Sequence, residues 1–388
     1  MRPGAAARGI GVVAAGFATF VNLYATQAVL PLLAREFAVP LPRTGLTVTA
    51  PLFAVALIAP FVGSISDRLG RKRLITVAAW LLAIPTALLA LTPDFTTMVL
   101  LRFLQGLALP FIFAVTVAYI GDEAREAEGI RLAGTYSVGT IVGGFAGRFI
   151  LGHVAAVAGW RAGFVVIAVL TALAAAVVGL ILPREQNFVA QRGLGAALES
   201  LRAHLANRQL IATYAAGFAV LFSIVAAFTY ANFLLAAPPY LFGPAALGNL
   251  FAVYLLAIIS TPVATRLAVR IGRRGTFALA AAIGMSGMAL TLAHGIGAIV
   301  AGLGLAIGGM FIEQVLAISY VGAAALRARS TAVGLYVTFY YVGGSLGGVA
   351  PAGLWHLAGW PGCVALVLIV QAMTLALVTA FWRDPAPA

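Results

Sequence analysis

The 388-residue sequence has little charge, little acid and almost no cysteine. Only 9% of its residues are Asp, Glu, Lys or Arg, where a soluble globular chain carries about a quarter. That scarcity excludes a soluble enzyme and a disordered chain, because neither can be kept in water by so few charges. The single cysteine, Cys363, excludes a disulfide framework and any Cys-based metal centre. No His, Asp and Glu group has metal-ligand spacing, and no Ser–His arrangement suggests an enzyme. Acid is the scarcer sign: 11 Asp and Glu stand against 24 Lys and Arg. The basic surplus is not a nucleic-acid footprint, since the arginines sit between long apolar runs.

What is present is apolar. Hydrophobic residues make up 62% of the chain and the mean hydropathy is +1.05. A bilayer core needs about 20 mostly apolar residues per helix. Twelve such runs are expected near 9–33, 44–65, 74–92, 95–120, 131–152, 162–183, 209–236, 245–265, 275–294, 296–321, 331–354 and 361–382. They are long and continuously apolar, unlike the alternating ten-residue segments of a membrane β-barrel. The first run carries Asn22, Tyr24 and Gln27 and is too long for a signal peptide, so it is read as a retained span. With the N-terminus inside, 19 of the 24 basic residues fall in inner segments. Only Arg35, Arg43 and Arg161 fall outside, and Arg102 and Arg148 lie within spans. This bias places both termini in the cytoplasm.

The polar stretch from Arg184 to Gln209 divides the spans into six and six. The expected organisation is a bundle over 1–183, a cytoplasmic linker over 184–208 and a second bundle over 209–388. An internal echo supports two related halves. Tyr136, Val142, Gly143, Gly144, Gly147, Gly159 and Trp160 recur as Tyr336, Val342, Gly343, Gly344, Gly347, Gly359 and Trp360. Arg68, Gly70, Arg71 and Lys72 recur as Arg270, Gly272, Arg273 and Arg274. Parallel six-span repeats leave such a trace.

The loop after the second run reads Gly63-Ser64-Ile65-Ser66-Asp67-Arg68-Leu69-Gly70-Arg71-Lys72-Arg73. It resembles the signature loop of the major facilitator superfamily, G-x-x-x-D-R-x-G-R-[RK]-[RK]. Arg102, Gln105 and Gly106 resemble that superfamily's R-x-x-Q-G element. Gly139, Gly143, Gly144 and Gly147 resemble its antiporter motif, without the usual Gly-Pro pair. Across most of its length the chain is similar to the YnfM-type, sugar-efflux-like branch of the drug:proton antiporters. The resemblance implies an all-α polytopic membrane protein with twelve transmembrane helices in two pseudo-symmetric six-helix bundles. It implies a secondary transporter of a bacterial-type inner membrane, whose bundles rock around a central cavity. The leading expectation is proton-coupled efflux of a sugar, metabolite or amphipathic drug. The alternative is an importer or exchanger of a small organic anion on the same fold. No cofactor beyond a proton gradient is expected. The expected partners are a small solute and the bilayer, with no nucleic acid, and the chain is expected to be a monomer.

The polar residues divide by role. Gly63, Asp67, Arg68, Gly70 and Arg71 belong to a cytoplasmic gate. In the family, Asp67 would face the start of the eleventh span, where a helix dipole favours negative charge. Arg71 would pair with Asp122 or Glu123, and Lys72 and Arg73 are weaker gate members. Arg102, inside the fourth span, needs a partner or a wet cavity. It either serves transport, lining the cavity, binding an anionic group or taking part in proton coupling, or serves structure, snorkelling outward or bracing backbone carbonyls, with Gln105 one turn away. Glu313 is the only carboxylate well inside a span, which makes it the candidate for proton coupling or cation binding. Arg148 lies near an outer end and either snorkels or reaches substrate. Asn22, Gln27, Tyr230, Asn232, Gln314, Tyr336 and Tyr340 are further cavity candidates. Gly139, Gly143 and Gly147, with Gly343 and Gly347, form small-residue stripes for close helix packing. The stripes are expected to meet spans of the opposite half.

Overall fold

A computed structural model describes residues 3–124, 126–186, 202–325 and 329–383. The described chain is helical throughout. In lipid a backbone must satisfy its polar groups internally, and the helix does so within one segment. The helices are α1 (Pro3–Leu23), α2 (Leu30–Glu36), α3 (Leu46–Leu69), α4 (Arg71–Leu89), α5 (Phe95–Glu123), α6 (Glu126–Ile181) and α7 (Arg208–Ala236). They continue with α8 (Pro244–Leu250), α9 (Ala257–Leu290), α10 (Ile296–Ala324), α11 (Arg329–Val349) and α12 (Ala352–Phe381). Asp94 caps α5 by accepting from the Thr97 amide at 2.9 Å, and Asn207 caps α7 by accepting from the Gln209 amide at 2.9 Å. The hydrogen bonds from Thr97 hold the Asp94 carboxyl below its ordinary range.

Among the described residues, nine helices are long and apolar enough to cross a membrane. The number is ten if the bent pair Pro244–Ser260 and Pro262–Leu290 is one span. Twelve separate spans were expected, and the difference comes from how the runs are joined. The fifth and sixth runs form the single 56-residue α6, interrupted at Gly159, where φ is 83°. At about 1.5 Å per residue α6 far exceeds a bilayer core of about 30 Å. The eighth and ninth runs share the bent segment, interrupted at Gly272 with φ 74°. The first run also differs: α1 stops at Leu23, a 3₁₀ turn covers Ala25–Val29, and α2 completes it.

The glycines with positive φ among the described residues are Gly70, Gly159, Gly272 and Gly359. Each belongs to the internal echo, as the pairs 70/272 and 159/359. A Cβ at Gly159 or Gly359 would meet nothing within 4 Å. Glycine is needed there for backbone conformation, not for space. The repeat thus preserves the points where one helix hands over to the next.

The chain forms two compact units, described separately below. The first comprises Met1–Arg192 with Phe242–Ala252, and the second Gly193–Leu241 with Val253–Ala388.

Candidate functional site

In the first unit a polar network crosses four helical segments. Asn22 on α1 donates to Thr171 Oγ1 on α6 at 2.8 Å. Thr86 on α4 donates to Asn22 Oδ1 at 2.7 Å, and Gln105 on α5 donates to Thr86 Oγ1 at 2.7 Å. All four side chains are buried. Arg102, one turn from Gln105, is fully buried and completes the network. Its Nη1 donates to the Asn22 carbonyl at 2.8 Å and to Gln105 Oε1 at 2.6 Å. Its Nη2 donates to the Leu23 carbonyl at 2.5 Å, and its Nε to the Thr47 carbonyl at 2.8 Å. The cause is the early end of α1. Its last carbonyls have no intrahelical donors, and a buried guanidinium supplies them. Of the two roles left open for Arg102, the geometry is that of a brace.

Arg148 does not snorkel. It is 1% exposed. Its Nε donates to Gln27 Oε1 at 2.8 Å and its Nη1 to the Gly144 carbonyl at 2.7 Å. Its guanidinium lies 4.5 Å from the Tyr24 and Phe251 ring centroids. The helix continues past Arg148 to Gly159, so the residue lies well inside α6 and cannot reach its end. Gln27 sits on the 3₁₀ turn after α1, positioned by that break.

Around the α3–α4 loop, Arg71 pairs with Asp122, Nε to Oδ2 at 2.9 Å, and also donates to Ser66 Oγ. Glu123 accepts from the Gln186 amide at 2.7 Å. Glu185 was not anticipated. Its carboxylate accepts from the Arg71 amide at 2.9 Å and the Lys72 amide at 3.2 Å. Both amides are unpaired first-turn donors of α4, where a negative group is favoured. Gly70 leaves room for it, since a Cβ there would collide with Glu185 Oε1. A Cβ at Gly63 would meet nothing within 4 Å. The side chains of Asp67 and Arg68 lie outside the described residues, and with them the expected contact of Asp67 with the eleventh span.

The second unit holds Glu313, just past the middle of α10 and fully buried. Neither carboxyl oxygen has a hydrogen-bond partner. Gln371 on α12 stands alongside it. The Gln371 amide nitrogen donates to Ser223 Oγ on α7 at 3.1 Å, while its Oε1 is unpartnered. Gly284 on α9 completes the surroundings, with its Cβ position 3.9 Å from Glu313 Oε1. Gly284 and Gln371 are neighbours of Glu313 that the residue pattern does not reveal. Asn232 donates to the Phe228 carbonyl at 2.8 Å, leaving Oδ1 unpaired. Tyr230 packs on Phe233 and Trp355, with its hydroxyl unpaired. Tyr336 and Tyr340 stack with centroids 6.1 Å apart, and Gln314 reaches the Tyr340 hydroxyl.

The glycine stripes make close contacts within their own units. Gly139, Gly143 and Gly147 press against the Val13, Phe17 and Val21 backbone of α1. Gly343 and Gly347 press likewise on Phe218 and Phe222 of α7. Without side chains, α6 and α11 approach those helices to backbone contact.

Residues 12–235 match the family Major Facilitator Superfamily. The chain is 30% identical over 372 residues to the MFS-type transporter YybF of Bacillus subtilis, covering 95% of this chain and 90% of that protein. It is 29% identical over 378 residues to the inner membrane transport protein YnfM of Escherichia coli, covering 96% and 90%. The fold is similar to that of a bacterial homologue of the human lysosomal transporter Spinster, with a TM-score of 0.82, 16% identity and both chains fully covered. The chain belongs to the Major Facilitator Superfamily. It is a membrane protein of a transporter family, and not an enzyme.

Proposed function

We propose that the protein is a secondary active transporter that works by alternating access and exports a small organic solute in exchange for protons. The observation that carries the coupling is Glu313: a fully buried carboxyl in a span, with both oxygens unpaired. A low-dielectric site does not tolerate a lone charge, so such a group takes up a proton, pairs with a cation or stays functional by doing each in turn. The chain supplies no other carboxylate so placed among its described residues. We read twelve spans, taking α6 as two spans about Gly159 and the bent segment as two about Gly272. The basic-residue bias supports both termini in the cytoplasm of a bacterial-type inner membrane. A monomer suffices, because both bundles lie in one chain.

The solute is a sugar, a metabolite or an amphipathic drug. Tyr230, Tyr336, Tyr340, Asn232 and Gln314 supply aromatic faces and polar groups suited to it. Exchange of a small organic anion draws less support. Arg102 engages main-chain carbonyls and Arg148 engages Gln27 and Gly144, so neither guanidinium is presented to an anion.

The test uses purified protein in liposomes with an imposed pH gradient and the trapped dye pyranine. Sugars, organic acids and lipophilic cations are added in turn to wild type and Glu313→Gln. Solute-dependent proton movement that disappears in the variant is expected. Uphill transport unchanged in Glu313→Gln would remove Glu313 from the coupling. Tracer exchange without proton movement would replace the proposal with uniport or anion exchange.

A further inference from the structure

The two units contain the same cross-bundle polar pair with its chemistry exchanged. Thr171 and Gln371 differ by 200 in number, as do the echo residues Trp160 and Trp360. Asn22 and Ser223 differ by 201, as do Phe17 and Phe218, the residues against which Gly143 and Gly343 pack. In the first unit the amide is on α1 and the hydroxyl on α6, joined at 2.8 Å. In the second the hydroxyl is on α7 and the amide on α12, joined at 3.1 Å. What completes the pair differs. In the first unit Thr86, Gln105 and Arg102 use the remaining valences of Asn22. In the second unit the Gln371 oxygen is unpartnered and faces no such donors, and the neighbour is Glu313.

We propose that Glu313, Gln371 and Ser223 form a proton site inside the second unit, with Gln371 and Ser223 as positioning residues and Gly284 leaving room beside the carboxyl. The inference rests on the transport reading and deepens it. The step is simple: the carboxylate takes one proton from the aqueous phase on one side and releases it to the other. No bond in the solute is made or broken. The Gln371 side chain, tied to Ser223 at 3.1 Å, is the polar group that α12 sets beside the carboxyl. Gly284 of α9 and Gln371 of α12 lie beside Glu313, and Ser223 of α7 holds Gln371 from behind. The α11 helix carries titratable hydroxyls at Tyr336, Tyr340 and Tyr341, of which Tyr340 is engaged by Gln314. No charged group acts on Glu313 among the described residues.

Gly284 offers a direct handle. A Cβ there would lie 3.6 Å from the Ala306 carbonyl oxygen and 3.9 Å from Glu313 Oε1, both ordinary contacts. Alanine therefore fits. Serine adds a hydroxyl one bond further out, within hydrogen-bond reach of the carboxylate. It would supply the donor that the first unit has in Thr86.

The probe is dicyclohexylcarbodiimide, an apolar reagent that adds to protonated carboxyls, followed by mass spectrometry of the purified chain without any solute. One adduct on Glu313 is expected, absent in Glu313→Gln. Gly284→Ser should label at least five-fold more slowly than Gly284→Ala, because only serine stabilises the charged form. Gln371→Ala and Ser223→Ala should each displace the pH profile of labelling, and Ser223→Thr should restore it. Equal rates for the two Gly284 variants, or unmoved profiles in the Gln371 and Ser223 variants, would overturn the site. So would slowing of the reaction by sodium at constant pH and ionic strength, which would mark a metal-cation site instead. The dye assay separates the two claims. Wild type that moves no protons with any solute overturns the transport reading and the role of the site with it. Coupling lost in Glu313→Gln, with labelling indifferent to Gln371, Ser223 and Gly284, overturns the site alone.

Discussion

Asn22 with Thr171, and Ser223 with Gln371, stand at matching places in the two units and have opposite surroundings. The first pair lies in a network whose donors and acceptors are matched, closed by a buried arginine. The second pair leaves an amide oxygen unpartnered next to a carboxyl with none. The backbone explains part of this. The α1 helix ends at Leu23 and exposes carbonyls that Arg102 satisfies, whereas α7 runs unbroken through the matching Ile224. At the same offset of 201, Arg102 corresponds to Leu303 and Glu313 to Ile112. At each of these two positions one unit carries a buried ionisable group where the other is apolar. The first unit's group holds a broken helix, and the second unit's group has no hydrogen-bond partner on either oxygen. A matched buried network is rigid and costly to disturb, while an unmatched one has low-energy alternatives.

The features shared by the units should fail in the same way. Gly143→Leu and Gly343→Leu each force a side chain onto a neighbouring helix backbone, at Phe17 and Phe218 respectively. Both should abolish the monodisperse folded peak in size-exclusion chromatography. A tolerated substitution on one side alone would break the equivalence of the two packing stripes. Smaller effects distinguish features that differ. Glu185→Ala removes two charge-assisted bonds at the start of α4 and should cost about 1 kcal/mol, read as a lower unfolding midpoint. An unchanged midpoint would show that solvent replaces the carboxylate there. Smallest of all is the exchange of the pair itself. Asn22→Ser and Thr171→Gln should each destabilise the first unit, and the double variant should recover about 1 kcal/mol, since it reproduces the chemistry of the second unit. Simple additivity would mean that the two pairs are not equivalent.

Much of this organisation was legible in the residues. The apolar runs, the basic loops and the echo of Gly70, Gly159 and Trp160 marked the helices and their junctions. The four-residue spacing of Gly139, Gly143 and Gly147 marked a close contact, though not its partner, because a stripe of small residues says nothing of which helix it meets. Arg102 and Gln105 were visible as neighbours on one helical face. Glu185 was not, because it binds α4 from 114 residues away in the chain. Thr86, Thr171 and Gln371 are single polar residues in apolar runs and carry no local pattern, while Ser223 shares a spacing of seven with Tyr230 that says nothing of Gln371. The repeat offset brings Thr171 to Gln371 and Asn22 to Ser223, but the residue types differ, so identity alone conceals the pairing. For Arg148 the residues alone leave snorkelling and reaching substrate both open, because its apolar run reads as ending nearby, while the helix continues to the break at Gly159.

The central claim is that the arginine of the first unit holds structure and the glutamate of the second unit carries the coupled proton. The most direct measurement sets Arg102→Met beside Glu313→Gln, with the unfolding midpoint and dye-reported proton movement recorded on each purified variant. Arg102→Met should lose on the order of 3 kcal/mol or more, because it strands the buried carbonyls of Thr47, Asn22 and Leu23. Glu313→Gln should keep or raise the midpoint and lose the proton movement. A stable Arg102→Met protein without coupling, paired with an unstable or fully coupled Glu313→Gln protein, would contradict the account.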